Sequence, residues 1–192
     1  MDIVKFYRGD PKNAPRTTMP AHLGANAILV WDDKLLLERR RDADVWGLVG
    51  GGCKKTETGR QAIAREVYEE LGLRIPAERF RKLKVYDDPG RIAAYRDGSV
   101  WRMVIVVYGL EFAREPVLRV SRESRELRFF TREELREITI AVTHEDIVEE
   151  PVLRVSRESR ELRFFTREEL RGITIAVTHE DIVEELFVNG EK

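Results

Sequence analysis

The sequence predicts a layered α/β (α+β) domain. Three observations carry this: apolar strand-like runs on both sides of one capped amphipathic helix, a glycine-rich stretch leading into that helix, and mixed rather than segregated element order. "PKNAPRTTMPAH" holds three prolines and reads as an irregular lead-in. "HLGANAILVW" and "KLLLERR" read as two strands joined by the polar turn Asp32–Asp33. "DVWGLVGGGCKKTETG" is too glycine-rich for long regular structure. A helix follows from about Arg60 to Leu71; Thr58 with Gln61 three residues later fits a capping box, and Gly72 supplies the stop. "FRKLKVYD" and "VWRMVIVVYGLEF" are strands separated by a turn rich in Asp, Pro and Gly.

Composition narrows the function classes. Of 192 residues 42% are hydrophobic and 36% charged, as for a globular chain with an ion-rich surface. The 34 lysines and arginines nearly balance 35 aspartates and glutamates, so no overall basic field exists to hold a nucleic acid duplex. Cys53 is the only cysteine, which leaves no intrachain disulfide and points to a reducing compartment. "MDIVKFYRGDPKNAPR" carries charges throughout, and nothing approaches the roughly 20 apolar residues of a membrane span. The expectation is a soluble cytoplasmic protein with no membrane partner.

The tail is duplicated. "EPVLRVSRESRELRFFTREELREITIAVTHEDIVEE" begins at Glu115 and again at Glu150, with Glu137 in the first copy replaced by Gly172 in the second. Two copies are too few for a solenoid. The reading is therefore a single domain over residues 1–192 with a tandem repeat, 115–150 and 150–185, of a terminal strand-helix segment. Each copy predicts a short strand at "ELRFF" and a helix capped by Thr131 or Thr166, with Gly172 at a helix C-terminus that favours a left-handed residue. Either copy can fill one docking site, leaving the other to pack outside or to swap into the second subunit of a homodimer.

"GGCKKTETGRQAIAREVYEELGL", Gly51 to Leu73, holds the chemistry. Glu66, Glu69 and Glu70 share one arc of the helix and Ile63, Ala64, Val67 and Leu71 another. Like charges three and four residues apart repel by roughly 0.2–0.5 kcal/mol per pair, which a solvated face tolerates and a divalent cation would convert into attraction. Carboxylates are hard ligands suited to Mg²⁺ or Mn²⁺, and no Cys/His cluster argues for zinc. Gly51 and Gly52 let backbone approach a ligand closely. Arg65 can pair with Glu69 or fix Glu57, orienting a carboxylate.

The same segment matches G-x5-E-x7-R-E-U-x-E-E-x-G-U, U aliphatic, at every specified position, and so resembles the signature of the Nudix hydrolase family. The chance of such a match is on the order of 10⁻⁸ per window at average residue usage. With the "WGLVGGG" approach and the strand order, the resemblance covers roughly residues 22–150. It implies an α/β/α sandwich around a mixed β-sheet, and hydrolysis of a diphosphate linkage in a small nucleotide substrate with Mg²⁺, or Mn²⁺, as cofactor. The family's roles carry over as metal ligands onto Glu66, Glu69 and Glu70. Glu57, Arg65 and Glu69 become the catalytic residues, and Gly51, Gly52 and Arg39 meet the substrate. The general base stays open among Glu69, Glu57, Glu126 and its duplicate Glu161.

Val49, Lys54 and Thr56 stand where the family frequently has proline, glutamate and glycine; Lys54 puts a positive charge beside the metal loop. Arg39, Arg40 and Arg41 serve as phosphate contacts or as a solvated charge run. Trp46, Tyr86 and Trp101 serve for base stacking or for core packing. Pro89 in "YDDPG" lies where family members that cleave ADP-ribose commonly carry proline. The expected activity is hydrolysis of ADP-ribose-like nucleoside diphosphate derivatives. The alternatives are a nucleoside triphosphate pyrophosphohydrolase and a non-catalytic nucleotide sensor.

Overall fold

The computed structural model describes residues 3–8, 12–41 and 45–149. Among these, the strands are β1 (Ile3–Tyr7), β2 (His22–Trp31), β3 (Lys34–Arg40), β4 (Trp46–Gly47), β5 (Val49–Gly52), β6 (Arg81–Tyr86), β7 (Ile92–Tyr95), β8 (Val100–Glu111) and β9 (Ser124–Phe130). The helices are α1 (Gly59–Leu71) and the short α2 (Glu145–Glu149), with 3₁₀ turns at Ala77–Arg79 and Glu134–Arg136.

β2 and β3 form the hairpin expected from sequence, pairing Val30 with Leu35 and Trp31 with Lys34. Both turn residues are left-handed, Asp32 at φ 50° and Asp33 at φ 58°, as a two-residue turn of matching twist requires. β2 and β8 are parallel from His22–Met103 to Val30–Glu111. The other strand pairs are antiparallel, so the sheet is mixed. Beyond β8 lie β6 and β7, with β1 outside β7; beyond β2 lie β5 and β3, with β4 and β9 on β3.

β2 is buried continuously from Gly24 to Leu29, and β3 from Leu35 to Glu38. A strand whose successive residues are all buried is covered on both faces, the condition of a layered sandwich. On one face Ala25, Ala27, Leu29 and Leu36 pack against Ala62, Ile63, Val67 and Leu71 of α1. The helix begins at the expected box: Gln61 N–H donates to Thr58 Oγ1 (3.3 Å) and Thr58 N–H to Gln61 Oε1 (2.8 Å). It ends at Gly72, whose φ of 75° suits glycine and whose N–H donates to Tyr68 O (3.0 Å).

Several elements differ from the sequence reading. The glycine-rich stretch contains β4 and β5, because β5 pairs along β2 from Gly24–Gly52 to Ala27–Val49. β1 and β7 were not expected; each is short and exists through pairing with the other, and β7 also with β8. After Thr131 the expected helix shrinks to the 3₁₀ turn Glu134–Arg136. Beyond it, Thr139 O accepts from Trp46 N–H (2.9 Å) and Ala141 N–H donates to Trp46 O (2.7 Å), which sets Ile140 in a single bridge beside Trp46. Glu137 has φ −97°, so this position in the first copy needs no left-handed residue. The second copy, 150–185, lies outside the described residues, and with it the one-domain reading of 1–192 and the swapped homodimer. Among the described residues no helix is long and apolar enough to cross a membrane.

Candidate active site

The site is built where β5 runs into the loop before α1. Gly50 has φ 142°, and a Cβ there would lie 2.2 Å from Ala25 O, so only glycine fits. A Cβ on Gly51 would lie 2.6 Å from Glu66 Oε1: the Glu66 carboxylate rests against bare backbone. On the other side of the strand a Cβ on Gly52 would meet the His22 ring at 3.1 Å. Gly50 N–H donates to Glu70 Oε2 (3.0 Å), so two helix carboxylates seat α1 on β5.

Arg65 gathers the rest. Its Nη2 donates to Glu57 Oε1 (2.6 Å) and to Gly52 O (3.1 Å), and its Nε to Glu57 Oε2 (3.0 Å). Its Nη1 donates to Glu66 Oε1 (2.7 Å) and Glu69 Oε2 (3.0 Å). Lys54 N–H donates to Glu57 Oε1 (2.7 Å), fixing the loop end of the cluster. The arc of three glutamates is thus graded by depth. Glu69 is half exposed (50%), Glu66 largely covered (12%), and Glu70 buried (6%).

The electrostatics follow that grading. The hydrogen bonds from Arg65, and then from Lys54 N–H, hold the Glu57 carboxyl down to about 2. Burial raises Glu66 despite the opposing Arg65 guanidinium. Burial, and then the neighbouring Glu38 carboxylate, raises Glu70. Burial also raises the Cys53 thiol, with Glu57 adding to the effect, so it is not poised as a nucleophile.

Three carboxylates and a backbone carbonyl therefore point oxygens at one cation, the Arg65 guanidinium. This donor set is hard and anionic, and fits Mg²⁺ or Mn²⁺ in kind. Among the described residues no three His, Cys, Asp or Glu side chains are grouped as a ready metal cage; the guanidinium stands between the carboxylates.

The remaining sequence candidates separate. Glu57, Arg65, Glu66, Glu69, Gly51 and Gly52 come together, with Glu70 behind them. Arg39 does not join them. Leu36 faces α1, so Glu38 does as well and Arg39 faces away. Glu126 is the cross-strand partner of Arg39 and shares its side of the sheet. Arg40 stands on the Glu38 side, 4.0 Å from Glu38 Oε1. Trp46 is packed edge-on against Phe130, and Tyr86 is buried beside Arg91. Trp101 stands perpendicular to His22, ring centroids 5.9 Å apart, and His22 is the ring beside Gly52.

Sequence reasoning missed Glu38. It is 2% exposed, its Oε2 accepts from Ser124 Oγ (2.8 Å), and it faces Glu70. Its signal was a carboxylate placed directly after three leucines of a buried strand.

Comparison with known proteins bears on family and fold. A family model described as NUDIX domain matches residues 20–151. A MutT-like protein of Streptomyces ambofaciens is 33% identical over 73 residues, 38% of this chain and 47% of that protein. The nucleoside triphosphatase NudI of Enterobacter sp. (strain 638) is 30% identical over 97 residues, 50% of this chain and 67% of that protein. The chain thus spans about half the length of the first relative and about two thirds of the second. The NUDIX domain of Shewanella oneidensis NrtR, solved with ADP ribose, superposes with a TM-score of 0.54 at 20% identity, covering 74% of this chain and 90% of that one. That likeness is one of fold.

Proposed function

The chain belongs to the Nudix family, and from that premise we propose that it hydrolyses a diphosphate linkage in nucleoside diphosphate derivatives, with Mg²⁺ or Mn²⁺ as cofactor. The observation that carries this is Arg65 held at once by Glu57, Glu66, Glu69 and Gly52 O. So many oxygens on one guanidinium are more than a surface ion pair needs, and they lie beside a loop stripped of side chains at Gly50, Gly51 and Gly52.

Glu66, Glu69 and Glu70 would hold the ion, with Gly51 and Gly52 leaving its approach open. When bound, the ion would offset charge on the phosphate oxygens and lower the pKa of an attacking water. Arg65 orients Glu57 and Glu66 by direct hydrogen bonds. Glu69 is the most exposed of the carboxylates around Arg65, at 50% against 13% for Glu57 and 12% for Glu66, and is the one best placed to accept a proton from water. Glu57 has both carboxylate oxygens engaged by Arg65.

ADP-ribose-like compounds lead the substrate class, supported by Pro89 at the place where ADP-ribose-cleaving members commonly carry proline. A second reading, a nucleoside triphosphate pyrophosphohydrolase, is supported by the relative named as a nucleoside triphosphatase. A panel of nucleotides incubated with Mg²⁺, its products resolved by chromatography, tests both. Two monophosphates support the linked diphosphate, and inorganic pyrophosphate supports the triphosphate. Nucleotide binding without turnover at any Mg²⁺ or Mn²⁺ concentration would leave a sensor instead.

A further inference from the structure

Asn26 is a polar residue in a buried place. It is 5% exposed, and among the described residues no hydrogen bond reaches its side-chain amide. Buried amides are nearly always paired, so one left open needs a reason. Ala25 and Ala27 of β2 pack against α1, so strand alternation turns His22, Gly24 and Asn26 to the opposite face. There β2 lies beside a strip of glycines: Gly24 pairs with Gly52 and Asn26 with Gly50. The amide lies over that strip. Its Nδ2 is 2.9 Å from where a Cβ on Gly50 would stand, and its Oδ1 is 3.9 Å from the Cβ position of Gly24. The nearest atom to that Gly24 position is a backbone oxygen at 3.6 Å, so no side chain crowds the floor between His22 and Asn26.

One end of the strip is walled by two rings. His22 and Trp101 stand perpendicular there, and the Trp101 indole N–H donates to Ser99 Oγ (3.1 Å), which fixes the larger ring. Burial pushes His22 below its ordinary value and so favours its neutral ring. The walled end also borders the proposed phosphate site. Gly52 turns its α-carbon to His22, while its carbonyl accepts from Arg65 Nη2 (3.1 Å). Resting on the reading of the substrate as a nucleotide, we propose that this strip takes the nucleobase and that the Asn26 amide selects adenine by pairing with its edge. An amide sets one donor beside one acceptor, the pattern complementary to the amino group and adjacent ring nitrogen of adenine. The base thereby completes two hydrogen bonds that the free protein leaves unmade. A ligand without a base meets the carboxylates and the glycine loop and gains nothing from Asn26.

Calorimetry with ADP, GDP and inorganic pyrophosphate, each with Mg²⁺, tests this on the full chain and on its Asn26→Ala and Asn26→Leu variants. The wild type should bind ADP more tightly than GDP. Both variants should lose roughly tenfold or more in ADP affinity, as for two neutral hydrogen bonds removed, and should bind ADP and GDP alike. Their affinity for pyrophosphate, which has no base, should stay within about twofold of wild type. Asn26→Leu should fold with a Tm no lower than wild type, because the amide it removes bonds to nothing in the free protein. A folded variant with unchanged ADP affinity would overturn the proposal, and so would one that weakens ADP and pyrophosphate equally. A wild type indifferent to the base, or failure of both variants to fold, would also overturn it. Binding is read without turnover, so a chain that cleaves no nucleotide can still pass. A nucleotide hydrolase whose variants bind as wild type loses only the role given to Asn26.

Discussion

Arg65 and Glu57 are joined at two points across eight residues, Nη2 to Oε1 at 2.6 Å and Nε to Oε2 at 3.0 Å. The fork ties the loop after β5 to the first half of α1 and leaves Nη1 for Glu66 and Glu69. A lysine ammonium cannot make two parallel bonds and still reach three other acceptors. Arg65→Lys should therefore lower kcat/KM by roughly 10- to 100-fold, the range for losing a group that orients metal ligands. The Mg²⁺ concentration for half-maximal rate should rise with it, and an unchanged metal dependence would remove Arg65 from this role.

The adjacent glycines Gly50 and Gly51 should fail in different ways. Gly50→Ala puts a Cβ 2.2 Å from a backbone oxygen at φ 142°, and neither can yield cheaply. It should destabilise the fold by about 3 kcal/mol, measured by denaturant unfolding. Gly51→Ala instead meets the end of the Glu66 side chain at 2.6 Å, which can swing away. Stability should be nearly kept while Mn²⁺ uptake in calorimetry weakens at least about tenfold, the size of effect expected for a misplaced ligand.

Local chemistry was legible in the sequence and register was not. β2 and β3 run over the residues their apolar pattern indicated, and Thr58, Gln61 and Gly72 cap α1 as their types require. The sequence offered Arg65 either Glu69 or Glu57 as partner, and its guanidinium takes both. The strand at Val49 to Gly52 was hidden because glycine disfavours strands and only pairing with β2 imposes one. That Arg40 rather than Arg39 stands on the Glu38 side depends on strand parity, which one residue of slip reverses. Thr131 does cap a turn, its N–H donating to Glu134 Oε2 (2.8 Å), yet the helix stops because Trp46 takes the backbone groups farther on.

Glu70 is the carboxylate farthest from water, its ionised form opposed by burial and by Glu38. Glutamine at this position keeps the shape and an oxygen to accept the Gly50 N–H, so Glu70→Gln should fold with wild-type Tm. What it removes is the ionisable carboxylate, and with it the negative charge that Glu70 could offer a metal ion. Turnover should fall at least about a hundredfold, near 2.7 kcal/mol of lost transition-state stabilisation. A wild-type rate in a folded Glu70→Gln protein would count against Glu70 as a metal ligand.

His144 sets an acid limit on the fold. Its Nδ1 accepts from Leu48 N–H, so this nitrogen must be unprotonated. Burial, and then the positive charges of Arg40 and Arg91, push it down to about 4 from an ordinary value of 6.5, with Asp146 opposing. Between those two pH values the unfolded chain binds a proton that the folded chain refuses. The stabilisation is therefore complete above pH 6.5 and is lost as pH falls towards 4, by about 3 kcal/mol in all. Glu57 contributes a separate loss below its own unfolded value, so the wild-type curve alone does not isolate the histidine. His144→Gln is uncharged throughout. The stability gap between wild type and this variant, read from urea unfolding, should narrow from pH 7 to pH 4.5, and a constant gap would mean that His144 does not titrate in this window.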